Sequence, residues 1–456
     1  MKAPDSGLAA AERLAAQALA LSVEGIPAPV RRRAEELLVD VVGLCVAARR
    51  TDYMKSVQGA IDAGGRCTAI GHTMTYGPDQ AALINGTAAH GEDFDDTFEG
   101  GPVHSSAVVT PAVLAVCERF ERDGRAALVA MVAGIESLCR LSMVIPKAIH
   151  KAGFHPTSIL GTMGSTLGAS VALGLSQRQT VDALGVAGSL SAGIIEYLAE
   201  GAWTKRLHAG WAAQAGVQAA RFGQQGFLGP RTVLEGTHGL FKAFAQSSEG
   251  NYDVLTKDFG RHWYMEHITF KPYATGTMNQ PYIDCAIRLS KKVKAEDVTD
   301  VLCETAEGYV HRLWDPLESK QRPANEYAAK FSTPFNVAVA FVTGGAGLSA
   351  FTEETVRDPR ILALASKVRY VVDPNNPYPK AYTGHVRMTL KDGTVVEERQ
   401  PHIRGGAHEP LSKDEIEDKF RRNVEFGGWT KERADAFLKG IPKFFDGPLD
   451  LTLLRG

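Results

Sequence analysis

The densest run of reactive side chains is Asn85-Gly86-Thr87-Ala88-Ala89-His90-Gly91-Glu92-Asp93-Phe94-Asp95-Asp96-Thr97, trailed by His104-Ser105-Ser106. Four carboxylates fall within the five residues from Glu92 to Asp96. On a solvated loop they would be a charge run without consequence. Here they follow a small-residue apolar stretch, 81–89, that reads as a helix, and they precede another apolar run. The cluster therefore lies at a junction between elements. Asp93 and Thr97 are four apart and share a face if the turn is helical. His104 then returns toward them, with Asp93 and Asp96 as carboxylate partners. A carboxylate beside an imidazole raises its pKa and orients the ring, which a general acid or base near neutral pH requires.

A second candidate is Phe154-His155-Pro156-Thr157-Ser158. Pro156 keeps His155 out of a preceding helix, and Thr157 or Ser158 can cap the next one. An imidazole is thereby placed beside a helix N-terminus, where unpaired N–H groups favour anions. The third is Thr204-Lys205-Arg206-Leu207-His208, in which the adjacent cations suit a carboxylate and His208 reads as structural. Finally, Lys271 and Gln280 bracket a polar, glycine-containing turn where two domains are expected to meet. Pockets form at such junctions, so both residues are expected substrate contacts.

The elements that must hold these residues are mostly helices. Val30, Ala34, Leu37, Leu38, Val41 and Cys45 recur at helical spacing after Pro29. The same period runs through 111–119, 126–138 and 181–190. Gly161, Gly164 and Gly168 share one helix face, where a second backbone can approach closely. After about residue 270 the texture changes. A helix over 281–291, a strand over 298–305, a helix over 324–342 and a strand over 367–372 are predicted in turn. Then 385–390 and 394–399 flank Lys391-Asp392-Gly393, a strong hairpin signal. The expected fold is mainly α: a helical domain over 1–270, an α+β domain over 271–400, and a return to the helical domain over 401–456.

Composition narrows the function. The 456 residues carry a net charge of −2, which gives no footprint for nucleic acid or an anionic membrane surface. No apolar run approaches a spanning helix, and the N-terminus does not read as a signal peptide, so a cytoplasmic protein is expected. The six cysteines have no CxxC or other short spacing, which argues against structural zinc and disulfides. There is no GxGxxG after a strand, no P-loop, no HExxH and no GxSxG. Neither a metal nor an organic cofactor is expected.

Several motifs occurring in order make the chain recognisable. NGTAAHGEDFDDT with its trailing His-Ser-Ser, FHPTS before a glycine-rich helix, TKRLHAGWAAQAG, KPYATGTMNQPYIDCA and AAKFSTPFNVAVA together resemble the MmgE/PrpD family, from about residue 8 to residue 445. That family's reactions include dehydration of 2-methylcitrate, decarboxylation of cis-aconitate and epimerisation of iminodisuccinate. The resemblance implies a helical domain interrupted by an α+β domain, a homodimer, and chemistry without metal or cofactor. It also implies that Asp93, Thr97, His104, His155 and Lys205 line a pocket. Two positions depart from the family pattern: Gln280 stands where a His is common, and Phe335 where a Tyr is common.

The shared chemistry is rearrangement next to a carboxylate of a small di- or tricarboxylate. A hydro-lyase of the 2-methylcitrate dehydratase type is the first expectation. One of His104 and His155 removes the α proton, the other assists the departing hydroxide, Asp93 orients a histidine and Lys205 anchors a carboxylate. An epimerase using the same two bases is the alternative, and a decarboxylase the third. A non-catalytic carboxylate binder would be expected to have lost the His or Lys candidates, and all are present.

Overall fold

In a computed structural model the described residues are 7–378 and 380–456, so the initial Met1–Asp5 stretch lies outside them. Helix accounts for 56% of residues and strand for 8%, which makes the chain mainly α. It divides into two units. One contains the chain up to Gly91, Asp95–Ile268 and Lys413–Gly456; the other contains Glu92–Phe94 and Thr269–Ser412.

The first unit is a stack of apolar helices. Its central members are Ala28–Ala48, Pro78–His90, Ser105–Arg119, Gly124–Ser142, Pro156–Leu173 and Thr204–Gln224. From Leu37 to Ala48 every residue is buried, so the 28–48 helix is enclosed beyond its single predicted face. Its Asp40 meets Lys419 of the returning helix Lys413–Phe426 at 2.7 Å, both side chains being 2% exposed. The three in-line glycines do admit neighbouring helices: a Cβ on Gly164 would sit 2.8 Å from the Cβ of Leu138, and one on Gly168 would sit 3.2 Å from the carbonyl oxygen of Ala130. The helix expected to open at Pro111 begins six residues earlier, at Ser105, because Asp96 caps it there.

The second unit is α+β. Strand Val298–Thr305 is central, with Val368–Val372 parallel on one side and Gly384–Leu390 antiparallel on the other, followed by Val395–Gln400. Val301 and Cys303, two apart, both point into the core. The Asp392-Gly393 turn joins the last two strands as its sequence demands, with Gly393 at φ 82°. Helices Gln280–Ser290 and Thr333–Thr343 pack on this sheet. The single helix expected over 324–342 is broken into Glu326–Ala329 and Thr333–Thr343. Ser332 accepts from the Phe335 N–H at 3.0 Å and starts the second piece, with Pro334 in its first turn. The chain rejoins the helical unit at Lys413, later than residue 401. Residues of the intervening stretch are tied to the sheet unit: Gly405 O accepts from Phe270 N, and Arg404 pairs with Asp284 at 3.1 Å.

Candidate active site

Asp96 organises the polar run of the helical unit. Its Oδ2 accepts from Ser105 N at 3.0 Å and its Oδ1 from Ser106 N at 3.1 Å, with the Ser106 hydroxyl also donating. It thus caps the Ser105–Arg119 helix from outside the helix. Burial, then the neighbouring Asp95, pushes its pKa up to about 7, against the pull of Ser106 and Ser105. The 98–103 loop folds back through a Phe98–Val103 bridge. His104 is thereby left one residue before the helix, with Nδ1 at 2.6 Å from Asp96 O. A carbonyl only accepts, so Nδ1 carries the proton and a neutral His104 presents the Nε2 lone pair.

The carboxylate against this imidazole in the helical unit is Asp95, with Oδ2 at 3.5 Å from His104 Nδ1. The same oxygen lies 2.7 Å from His90 Nδ1. His90 therefore keeps its Nε2 lone pair, which is buried and has no hydrogen-bond partner. The expectation that Asp93 and Thr97 share a helix face needs correction. The turn is not helical: Asp93 has φ 54° and Thr97 is in extended backbone, so the two do not share a helix face. Asp93 belongs to the sheet unit, where its carboxylate accepts from Tyr327 OH at 3.3 Å and its carbonyl from Lys271 Nζ at 2.9 Å. Thr97 does reach His104, with Oγ1 at 3.4 Å from Nδ1.

His155 is itself the residue before the Pro156–Leu173 helix, with extended backbone and no side-chain cap. Thr157, expected as a cap, instead accepts from His104 N at 3.2 Å and ties the two histidine segments together. The His155 N–H donates to Gly193 O at 2.9 Å. Gly193 has φ 132°, and a Cβ there would meet Ser158, so only glycine suits this support. His155 Nδ1 lies 3.2 Å from His208 Nδ1, one ring donating to the other. His208, read from sequence as structural, is thus a direct partner of His155.

The rings of His104 and His155 are 6.2 Å apart between centroids, and His90 sits 4.8 and 5.6 Å from them. One ring nitrogen from each of the three lies within 4.8 Å of the others, so among the described residues these histidines could hold a metal ion. Lys205 is 8% exposed in the first turn of the Thr204–Gln224 helix, and its charge acts on both His155 and His208. Arg206 turns elsewhere, its guanidinium 4.3 Å from the Tyr53 ring centroid.

In the sheet unit, Lys271 is buried and Lys330 pairs with Glu92 at 2.6 Å. Gln280 needs correction as a substrate contact. Its Oε1 accepts from Tyr273 N, and its Nε2 donates to the carbonyls of Tyr273 and Thr275, so this fully buried amide braces the 273–275 turn. Phe335 is buried against Phe351.

Comparison with known proteins decides the kinship. The MmgE/PrpD N-terminal domain matches residues 12–253, and the MmgE/PrpD C-terminal domain matches residues 273–439. The chain belongs to the MmgE/PrpD family. Among curated relatives of this MmgE/PrpD protein, human cis-aconitate decarboxylase is 30% identical over 394 residues, covering 83% of this chain and 80% of that protein. Cis-aconitate decarboxylase of Aspergillus terreus strain NIH 2624 is 26% identical over 460 residues, covering 95% and 92%. The mitochondrial 2-methylcitrate dehydratase of Yarrowia lipolytica is 25% identical over 351 residues, covering 70% and 65%.

In this MmgE/PrpD chain, burial holds His155 well below an ordinary imidazole, with His90, His208 and Lys205 adding to it. His208 is lowered to about 4, again by burial first. Both are therefore neutral at pH 7, while an unfolded histidine titrates near 6.5. Between about pH 4 and 6.5 the unfolded chain binds protons that the folded chain does not. Their contribution to stability is complete above pH 6.5 and is lost as pH falls, at up to about 1.4 kcal/mol per unit for each histidine. Between pH 7.5 and 5.0, chemical denaturation should show His208→Asn losing about 2 kcal/mol less stability than the parent protein. Equal sensitivity in that variant would mean that other groups carry it.

Proposed function

We propose that the chain is a cofactor-independent lyase that decarboxylates a small unsaturated tricarboxylate of the cis-aconitate type. The observation that carries this reading is the buried pair His104 and His155, oppositely braced. His104 is held by Asp96 O and lies beside Asp95, and His155 is kept neutral against His208.

The chemistry needs one proton and no redox partner. The bond to the departing carboxylate breaks and CO₂ leaves. Its electron pair forms a new double bond, and the former double-bond pair takes a proton on carbon. His104, whose cationic form is favoured by Asp95, supplies that proton from Nε2. Neutral His155 holds the reacting end of the substrate, and Lys205 anchors a carboxylate remote from the reacting carbon. Low solvent exposure strengthens each of these interactions. The family relatives named cis-aconitate decarboxylase support this choice of reaction.

The dehydratase reading keeps the support of relatives named 2-methylcitrate dehydratase, among them those of Yarrowia lipolytica and Cupriavidus necator. Proton NMR of a mixed panel of 2-methylcitrate, cis-aconitate and iminodisuccinate separates the readings. Cis-aconitate should lose its vinyl signal and gain a vinylidene pair. Consumption of 2-methylcitrate with cis-aconitate untouched would make the protein a dehydratase.

Lys205→Ala is expected to raise KM more than it lowers kcat, because a carboxylate contact remote from the reacting carbon contributes mostly uniform binding. A desolvated charge-assisted contact contributes about 1.5–3 kcal/mol, or roughly a 10- to 150-fold change. A pure kcat defect at unchanged KM would place Lys205 in the chemical step.

We also propose a homodimer, supported by the cluster of exposed apolar side chains Ile194, Leu198, Trp203, Leu207 and Trp211. Sedimentation should give about twice the 49.0 kDa chain mass, and Trp211→Asp should halve it. A monomeric parent protein would end this reading.

A further inference from the structure

The three-imidazole cluster has a property that proton transfer does not use. Proton shuttling needs His104 and His155, yet a third ring, His90, stands at 1% exposure with Nε2 buried and unpartnered. An unsatisfied buried acceptor is costly, and in a native structure it commonly marks a place for a ligand atom.

The bracing of the three rings is that of metal-ligating histidines. Such residues donate the other ring N–H to a carboxylate, carbonyl or similar acceptor, which fixes the tautomer and raises ligand basicity. His90 Nδ1 faces the Asp95 carboxylate at 2.7 Å, His104 Nδ1 the Asp96 carbonyl at 2.6 Å, and His155 Nδ1 the His208 ring at 3.2 Å. A nitrogen from each of His90, His104 and His155 lies within 4.8 Å of the other two. Bonds of about 2.0–2.1 Å to zinc need the nitrogens somewhat closer, a shift within reach of small ring rotations. The Asp95 carboxylate lies directly behind the His90 and His104 rings and offsets part of the charge of a dication. The three ligands are 14 and 51 positions apart in sequence, which is why no spacing motif announces them.

We propose that His90, His104 and His155 form a binding site for a borderline divalent cation, zinc above all, and that its occupancy switches the enzyme off. Imidazole ligands select zinc, copper, nickel and cobalt over magnesium and calcium, which prefer oxygen. The inhibitory half rests on the reading of His104 and His155 as the groups that hold and protonate the substrate. A bound ion takes the lone pairs that this reading needs.

The test separates the two halves. The full-length protein is stripped with EDTA, and its activity should be retained or rise. Zinc alone is then titrated calorimetrically and should bind one ion per chain. Cobalt, as a spectroscopic stand-in, should give the intense visible bands of a tetrahedral nitrogen site. His90→Gln, checked for folding by circular dichroism, should bind zinc at least about tenfold more weakly. Saturating zinc should remove more than about nine-tenths of the activity, and EDTA should restore it. No stoichiometric binding, an octahedral cobalt spectrum, or unchanged affinity in His90→Gln would overturn the site. Stoichiometric binding at these histidines with activity unchanged would leave the site standing and overturn both the switch and the proton-transfer role of His104 and His155. Activity lost to EDTA and regained with zinc would overturn the switch and make the ion a cofactor.

Discussion

His104→Gln or His155→Gln is expected to lower kcat by at least about 10²-fold, the lower end for losing a positioned acid or base. Glutamine keeps a polar side chain of similar reach but cannot carry a proton to carbon. The two losses should not multiply. Thr157 accepts from the backbone of His104, and His90 packs against both rings, so the segments act as one piece. Groups that act as a unit give a double variant little worse than the worse single one. Steady-state kinetics on the three variants settles this. Fully multiplicative losses would make the residues independent. Near-normal turnover in His155→Gln with only a lower melting temperature would reduce that histidine to a structural role.

Arg140→Met is expected to lose about 3–5 kcal/mol of stability, a large share of the roughly 5–15 kcal/mol of a typical native protein. The guanidinium is fully buried in the Gly124–Ser142 helix and pairs with Glu136 at 2.7 Å. It also donates to the carbonyls of Val254, Lys257 and His262, each at 2.8 Å. Glu136 in turn accepts from Met265 N at 3.0 Å. One cation thus satisfies three carbonyls of an irregular segment and the carboxylate that tethers it. Methionine fills the space but strands all four acceptors away from water. Urea denaturation with circular dichroism measures the change. A loss below about 1 kcal/mol would mean that water replaces the guanidinium.

Much of this was readable from the chain because the relevant signals are local. The 28–48 helix follows from the spacing of Val30, Ala34, Leu37 and Leu38, and the hairpin from Asp392-Gly393 between alternating strands. His104, His155 and Lys205 were singled out by their motifs, and the structure places all three in the helical unit. What could not be read was which partner each polar group chooses. Asp93, Asp95 and Asp96 are equivalent by composition, yet one left-handed residue, Asp93, separates them. It sends the first carboxylate to Tyr327, the second to two histidines and the third to a helix cap. His90 closes an apolar helix, where a histidine is usually a core residue. Its only signal was Asp95 five residues later. Nothing local in the sequence says whether the Gln280 amide faces a ligand or its own backbone.

The central claim is that a fixed imidazole delivers a proton to carbon as a small polycarboxylate loses CO₂. Turnover of cis-aconitate in D₂O, with the product examined by NMR, tests it most directly. The account predicts one deuteron at the new methylene carbon, on a single prochiral face, with product formation suppressed at least about 10²-fold in His104→Gln. Labelling of both faces equally, or undiminished product from His104→Gln, would mean that free water supplies the proton and would contradict it.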